Sequence, residues 1–136
     1  MLKYGDIPVL LKKDVGYIDS TSGNLTTTSW TYRAYKCKKD DIIKISLTLG
    51  EEIGSNICLT YAIYSSVNEY TENTVLVKGP KWEETATELN NTISIPDGAK
   101  SIVFCYKNIS SFNIVKLQTR DDVINTYLSK TNKSVI

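Results

Sequence analysis

Thr92-Ile93-Ser94-Ile95-Pro96-Asp97-Gly98-Ala99-Lys100-Ser101-Ile102-Val103-Phe104 is the stretch that decides the fold. Ile93 and Ile95 alternate with Thr92 and Ser94 as a half-buried strand does. Ile95-Pro96-Asp97-Gly98 then suits a type I turn with proline at its second position, and a new strand starts at Ser101. A matching signature, Gly16-Tyr17-Ile18-Asp19 through Trp30-Thr31-Tyr32, lies towards the other end, so the two bracket one antiparallel β unit. Between them the turn signals predict strands at Tyr17 to Asp19, Leu25 to Tyr35, Ile42 to Leu49, Ile57 to Ser65, Tyr70 to Val77, Thr92 to Ile95, Ile102 to Lys107 and Asn113 to Leu117.

In the third strand Ile43, Ile45, Leu47 and Leu49 share one face and Lys44, Ser46 and Thr48 the other, the period-two pattern of a sheet with one wet side. The fourth is apolar on both faces and belongs inside a sheet. These patterns predict an all-β, antiparallel β-sandwich with Ile43, Ile45, Leu47, Ile63, Ile102 and Phe104 in its core. One helical pattern comes late, where Thr119 can cap a segment carrying Val123, Ile124, Tyr127 and Leu128 after Asp121 and Asp122. The expected organisation is an N-terminal arm over 1–14, the sandwich over 15–118, and a short C-terminal helix and tail over 119–136.

At 136 residues the chain has the length of one domain able to bury about two-thirds of its unfolded surface. Sixteen basic and fifteen acidic residues give a charge of +1, so bulk electrostatics call for no nucleic acid and no anionic membrane. The chain has no histidine, which removes the usual neutral-pH base, Ser-His-Asp and Cys-His constellations and the commonest zinc ligand. No cofactor fingerprint is present, and the expectation is a protein that is not an enzyme and needs no cofactor. Cys37, Cys58 and Cys105 lack metal-ligand spacing. Cys58 and Cys105 read as small core residues, and Cys37, flanked by Lys36 and Lys38, is the one with a route to a lowered thiol pKa. Met1 to Val15 does not resemble a secretory signal, so synthesis in a cytoplasm without processing is expected.

Aromatic side chains beside polar groups on loops are what stacking against sugar rings requires. Trp82, between Lys81 and Glu83, is the best candidate, and its competing reading is a loop residue folded back over the core end. Tyr70 with Asn68 and Glu69 makes a second polar-aromatic group, against which stands simple rim packing. Trp30 alternates with Tyr32 and reads as core. Asp19 and Asn24 flank Ser20-Thr21-Ser22-Gly23 and offer oxygen ligands for calcium, against which stands the plainer reading that they are the acceptors of an Asx turn. The carboxylate pairs Glu51-Glu52, Glu83-Glu84 and Asp121-Asp122 have the residue type for glycoside hydrolysis, but adjacent carboxylates on a strand point to opposite faces. Tyr4, Ile7, Val9, Leu10 and Leu11 crowd into one proline-interrupted arm and suit assembly with a partner or folding back on the chain's own sandwich.

With Gly16-Tyr17-Ile18-Asp19, Gly23-Asn24, Trp30 and Tyr32 leading to Tyr35, Tyr61-Ala62-Ile63-Tyr64 and Ile95-Pro96-Asp97-Gly98-Ala99 in that order, the chain resembles the jelly-roll β-sandwich, carbohydrate-binding-like modules of bacteriophage tail and head appendage proteins and of gut-bacterial surface proteins. The resemblance covers about Val15 to Leu117. Such modules commonly place glycine before the aspartate that ends the turn ahead of an Ile42-like strand, where this chain has Lys38-Lys39-Asp40-Asp41. The resemblance implies a virion accessory or structural protein, made in the host cytoplasm, with other virion proteins as partners, homo-oligomeric, and with host-surface glycan as its candidate ligand. Its alternative is a carbohydrate-binding module of a bacterial surface or secreted protein.

Overall fold

The computed structural model describes residues 9–54 and 58–117. Eight strands follow one another: β1 Leu10–Ile18, β2 Leu25–Lys36, β3 Ile42–Leu49, β4 Tyr61–Tyr64, β5 Val75–Lys78, β6 Glu88–Ser94, β7 Ser101–Tyr106 and β8 Ile109–Leu117. They form a five-stranded sheet, β1-β2-β7-β4-β5, and a three-stranded sheet, β6-β3-β8, with every pairing antiparallel. The pairs β4 with β5, β3 with β6 and β2 with β7 are nested, each enclosing the previous one along the chain. From β2 to β8 the chain changes sheet five times.

The alternation read in β3 is what the structure uses: Ile43, Ile45 and Leu47 are fully buried, Leu49 nearly so. Their layer includes Ile93 of β6 and Ile114 of β8, and it meets Tyr35, Tyr61, Ile63, Ile102 and Phe104 of the larger sheet. Phe112 of β8 ties the two together, its ring centroid 6.1 Å from that of Phe104 and 6.2 Å from that of Tyr35. β7 lies between β2 and β4, and all six of its residues are buried, so both faces of the larger sheet are covered there. On the second face Tyr32, Ala34, Ala62, Tyr64, Val103 and Cys105 stand in register. That face is enclosed because the sheet curls. Asp19, just past β1, bridges Cys58, and the Leu59 N–H donates to the Ile18 carbonyl at 3.1 Å.

Several boundaries differ from the sequence reading, among them that of β4, expected over Ile57 to Ser65 and observed over Tyr61–Tyr64. β1 begins at Leu10 and pairs with β2 from Leu10↔Tyr35, so the sandwich starts before Val15. Its side chains from Leu10 to Val15 are all exposed, and a strand held by backbone bonds alone leaves no alternation to read. Tyr70 to Thr74 is loop rather than strand, folded by hydrogen bonds from Thr74 and Val75 N–H to the Thr71 carbonyl. β6 and β8 start at Glu88 and Ile109, earlier than expected.

The decisive turn is also shifted by one residue. Ala99 N–H donates to the Pro96 carbonyl at 3.4 Å, and Gly98 sits at the third position with φ of 83°, where only a residue without Cβ is unstrained. In the Lys38-Lys39-Asp40-Asp41 turn, Asp40 itself takes a left-handed φ of 70°. The C-terminal helix expected over 119–136 lies outside the described residues.

Candidate functional site

Beside the outer edge of the larger sheet a cleft of about 470 Å³ opens between β1, the start of β2 and the loop joining β4 to β5. Its walls bring together Asn68, Glu69 and Tyr70, three of the residues read from the sequence as a polar-aromatic group. β1 adds Leu11, Lys12, Asp14 and Val15, and β2 adds Tyr32. Sequence reasoning missed these five as companions of Tyr70, since only the β1–β2 pairing and the curl bring them near it.

The Tyr70 ring is half-buried, edge-on to Tyr32 at 6.4 Å and tilted against Tyr64 at 5.2 Å. Its hydroxyl donates to the Val67 carbonyl at 2.9 Å. The loop around it is fastened at several points: Ser66 Oγ accepts from Glu69 N–H at 3.0 Å, Thr74 Oγ1 donates to the Glu69 carbonyl at 2.8 Å, and Ser101 Oγ donates to the Ser66 carbonyl at 2.6 Å. Across the cleft Lys12 pairs with Asp14 at 3.7 Å. The Tyr32 hydroxyl, and after it the Asp14 carboxylate, hold the Lys12 ammonium above its ordinary pKa. Apolar wall, ring edge, carboxylates, amide and ammonium therefore share one preformed space.

Trp82 is placed elsewhere. It is 5% exposed, its indole N–H donates to the Cys105 carbonyl at 2.8 Å, and its own N–H donates to the Cys58 carbonyl at 2.9 Å. A buried indole whose donor is satisfied offers no face to a sugar, so the folded-back reading holds for Trp82 and the stacking reading is corrected. Trp30 is buried, as expected.

Asp19 Oδ1 and Asn24 Oδ1 both accept hydrogen bonds from the protein itself. Asp19 Oδ1 accepts from Ser22 N–H at 2.8 Å, Thr21 N–H at 2.9 Å and Ser22 Oγ at 3.1 Å, which holds its carboxyl below the ordinary carboxylate pKa. Asn24 Oδ1 accepts from Glu72 N–H at 2.6 Å and so ties the Asx turn to the cleft loop. Among the described residues no group of three His, Cys, Asp or Glu side chains comes together, and the oxygens named here serve the Asx turn. Glu51, Glu52, Glu83 and Glu84 are all exposed, and Asp121 and Asp122 lie outside the described residues. Cys37 is buried, and burial, aided by Asp41, pushes its thiol up to about 12 despite the neighbouring lysines.

Of the arm, Tyr4 and Ile7 lie outside the described residues. The Val9 carbonyl accepts from Lys36 N–H at 3.3 Å, so the backbone here docks on the chain's own β2. The side chains of Val9, Leu10 and Leu11 nonetheless stay 74%, 43% and 37% exposed. Compared with known proteins, this all-β chain with its edge cleft matches no family model, no curated relative and no solved structure.

Proposed function

We propose that this chain is a non-enzymatic jelly-roll building block of a bacteriophage tail or head appendage, and that its edge cleft holds a host-surface glycan. The cleft carries the reading. Sugar rings need an apolar surface for their C–H faces and polar groups at its rim for their hydroxyls, and Tyr70 with Val15 and Leu11, ringed by Lys12, Asp14, Asn68 and Glu69, supplies both. The nested pairing of β2 with β7, β3 with β6 and β4 with β5 supports a jelly roll, an antiparallel ribbon wound on itself, with β1 folded onto β2. The ordered motifs shared with phage appendage modules support the virion assignment. The exposed side chains of Val9, Leu10 and Leu11 support a contact between the N-terminal arm and another copy or another virion protein.

A glycan array at high valency, followed by calorimetry on the hits, tests the cleft. Asn68→Ala with Glu69→Ala should weaken binding at least about tenfold with little change in stability, because both side chains are exposed. A wild-type protein silent on the array removes the glycan reading, and binding untouched by the double variant moves the site elsewhere. Copurification with phage particles tests the virion assignment separately. A glycan binder encoded among polysaccharide-use genes, absent from particles, would instead be the bacterial surface module. Val9→Ser with Leu10→Ser keeps the β1 backbone and should sharply reduce incorporation or oligomerisation while folding persists, because both side chains are exposed. Normal assembly of that variant removes the arm's role.

A further inference from the structure

Cys58 and Cys105 come from segments 47 residues apart, and the curl of the larger sheet brings their sulfurs to 3.2 Å. Both thiols are buried. Cys105 stands on the enclosed face of β7, its thiol within 3.4 Å of the Gly16 carbonyl. Cys58 lies on the seam where the end of β1 meets the segment entering β4, opposite Asp19. Cys37 is elsewhere, past the end of β2 and beside Asp41.

We propose that Cys58 and Cys105 are a cross-linking site, oxidised to an intramolecular disulfide when the chain folds in the presence of a small-molecule disulfide such as oxidised glutathione. One cysteine thiolate attacks a sulfur of the small disulfide and releases one thiolate, leaving a mixed disulfide. The second cysteine, deprotonated, attacks the protein sulfur of that mixed disulfide and releases the other. The pair gives up two protons and two electrons, and the small disulfide takes them as two thiols. Burial shuts both sulfurs off from solvent in the finished fold, so exchange belongs to the folding chain or to molecules with the seam open, and the bond is protected once the seam closes. The bond clips β7 to the seam beside Asp19, at the base of the Asx turn whose Asn24 holds the cleft loop through Glu72.

Full-length protein refolded in a buffer of oxidised and reduced glutathione, beside a sample refolded in dithiothreitol, tests this by intact mass, non-reducing peptide mapping and melting. The oxidised sample should be lighter by two hydrogens and carry a single Cys58–Cys105 peptide pair. It should also melt about 10 °C above the reduced one. Cys37→Ala should leave the linkage intact. Retention of three thiols after oxidative refolding overturns the proposal, as does a linkage through Cys37 or an oxidised form that melts below the reduced one.

Discussion

Phe104 and Cys105 are neighbours on β7, yet they belong to two layers of different chemistry. The layer around Phe104, between the sheets, is built of Ile43, Ile45, Leu47, Ile63, Ile102 and Phe112. Its cohesion is apolar area with ring edges fitted together. The layer around Cys105, inside the curl, mixes Ala34, Ala62 and Val103 with tyrosines and small polar groups, among which hydroxyl donors reach backbone carbonyls. Tyr64 Oη donates to Gly23 at 2.7 Å and Ser101 Oγ to Ser66 at 2.6 Å. The first layer holds two sheets together; the second holds loops to one sheet. Stability and the shape of the cleft therefore rest on different faces of the same strands.

Phe104→Ala is the largest expected break, costing about 3 to 5 kcal/mol in urea unfolding, whereas Cys105→Ala one residue on, compared with the reduced protein, should cost about 1 kcal/mol. Equal losses would erase the distinction between the layers. Gly79→Ala comes next. A Cβ there would lie 2.6 Å from Tyr61 Cε1 and 2.8 Å from the Tyr61 carbonyl oxygen, and the backbone atom has nowhere to go. A loss of about 1 to 3 kcal/mol is expected, and an unchanged melting point would show that β5 gives way freely.

Tyr64→Phe keeps the ring and removes the bond to Gly23, so about 1.5 kcal/mol should go, together with hydrogen-exchange protection in the 19–24 turn. Protection lost evenly over the whole chain would deny the loop-fastening role. The acid response of the same turn is smaller. Ser22 and Thr21 N–H groups stabilise the charged form of Asp19, so its contribution is full above the unfolded carboxylate pKa of about 3.9 and is lost as pH falls through the lower native value. Asp19→Asn should flatten the fall of melting temperature below about pH 4; an unaltered acid slope would mean other carboxylates set it. Asp40→Gly is the smallest and should raise stability by about 0.5 kcal/mol, since glycine carries the left-handed φ without strain.

The sheet interface was legible because strands with one dry side print their alternation, as Ile43 to Leu49 does. β1 was hidden between Leu10 and Val15 because an edge strand with both faces wet is fixed by backbone pairing, to which side chains bear no witness. Half of the cleft was legible. Asn68, Glu69 and Tyr70 are adjacent in sequence, but Lys12 and Tyr32 reach them through strand register and curl. Trp82 misled for a related reason: its loop is polar by composition, and the carbonyl that draws its indole inward belongs to β7. The nearness of Cys58 to Cys105 likewise has no local signature.

The interruptions in strand pairing have a consequence for crowding. β1 carries register shifts on either side of Lys12 to Val15 and presents Lys12, Lys13 and Asp14 along its exposed length, while the opposite margin, β5, is four residues long and ends in Lys78. A short, kinked or charged margin is a poor template for another chain to extend by cross-β addition. Crowded copies therefore meet a poor template for strand addition at both margins of the larger sheet.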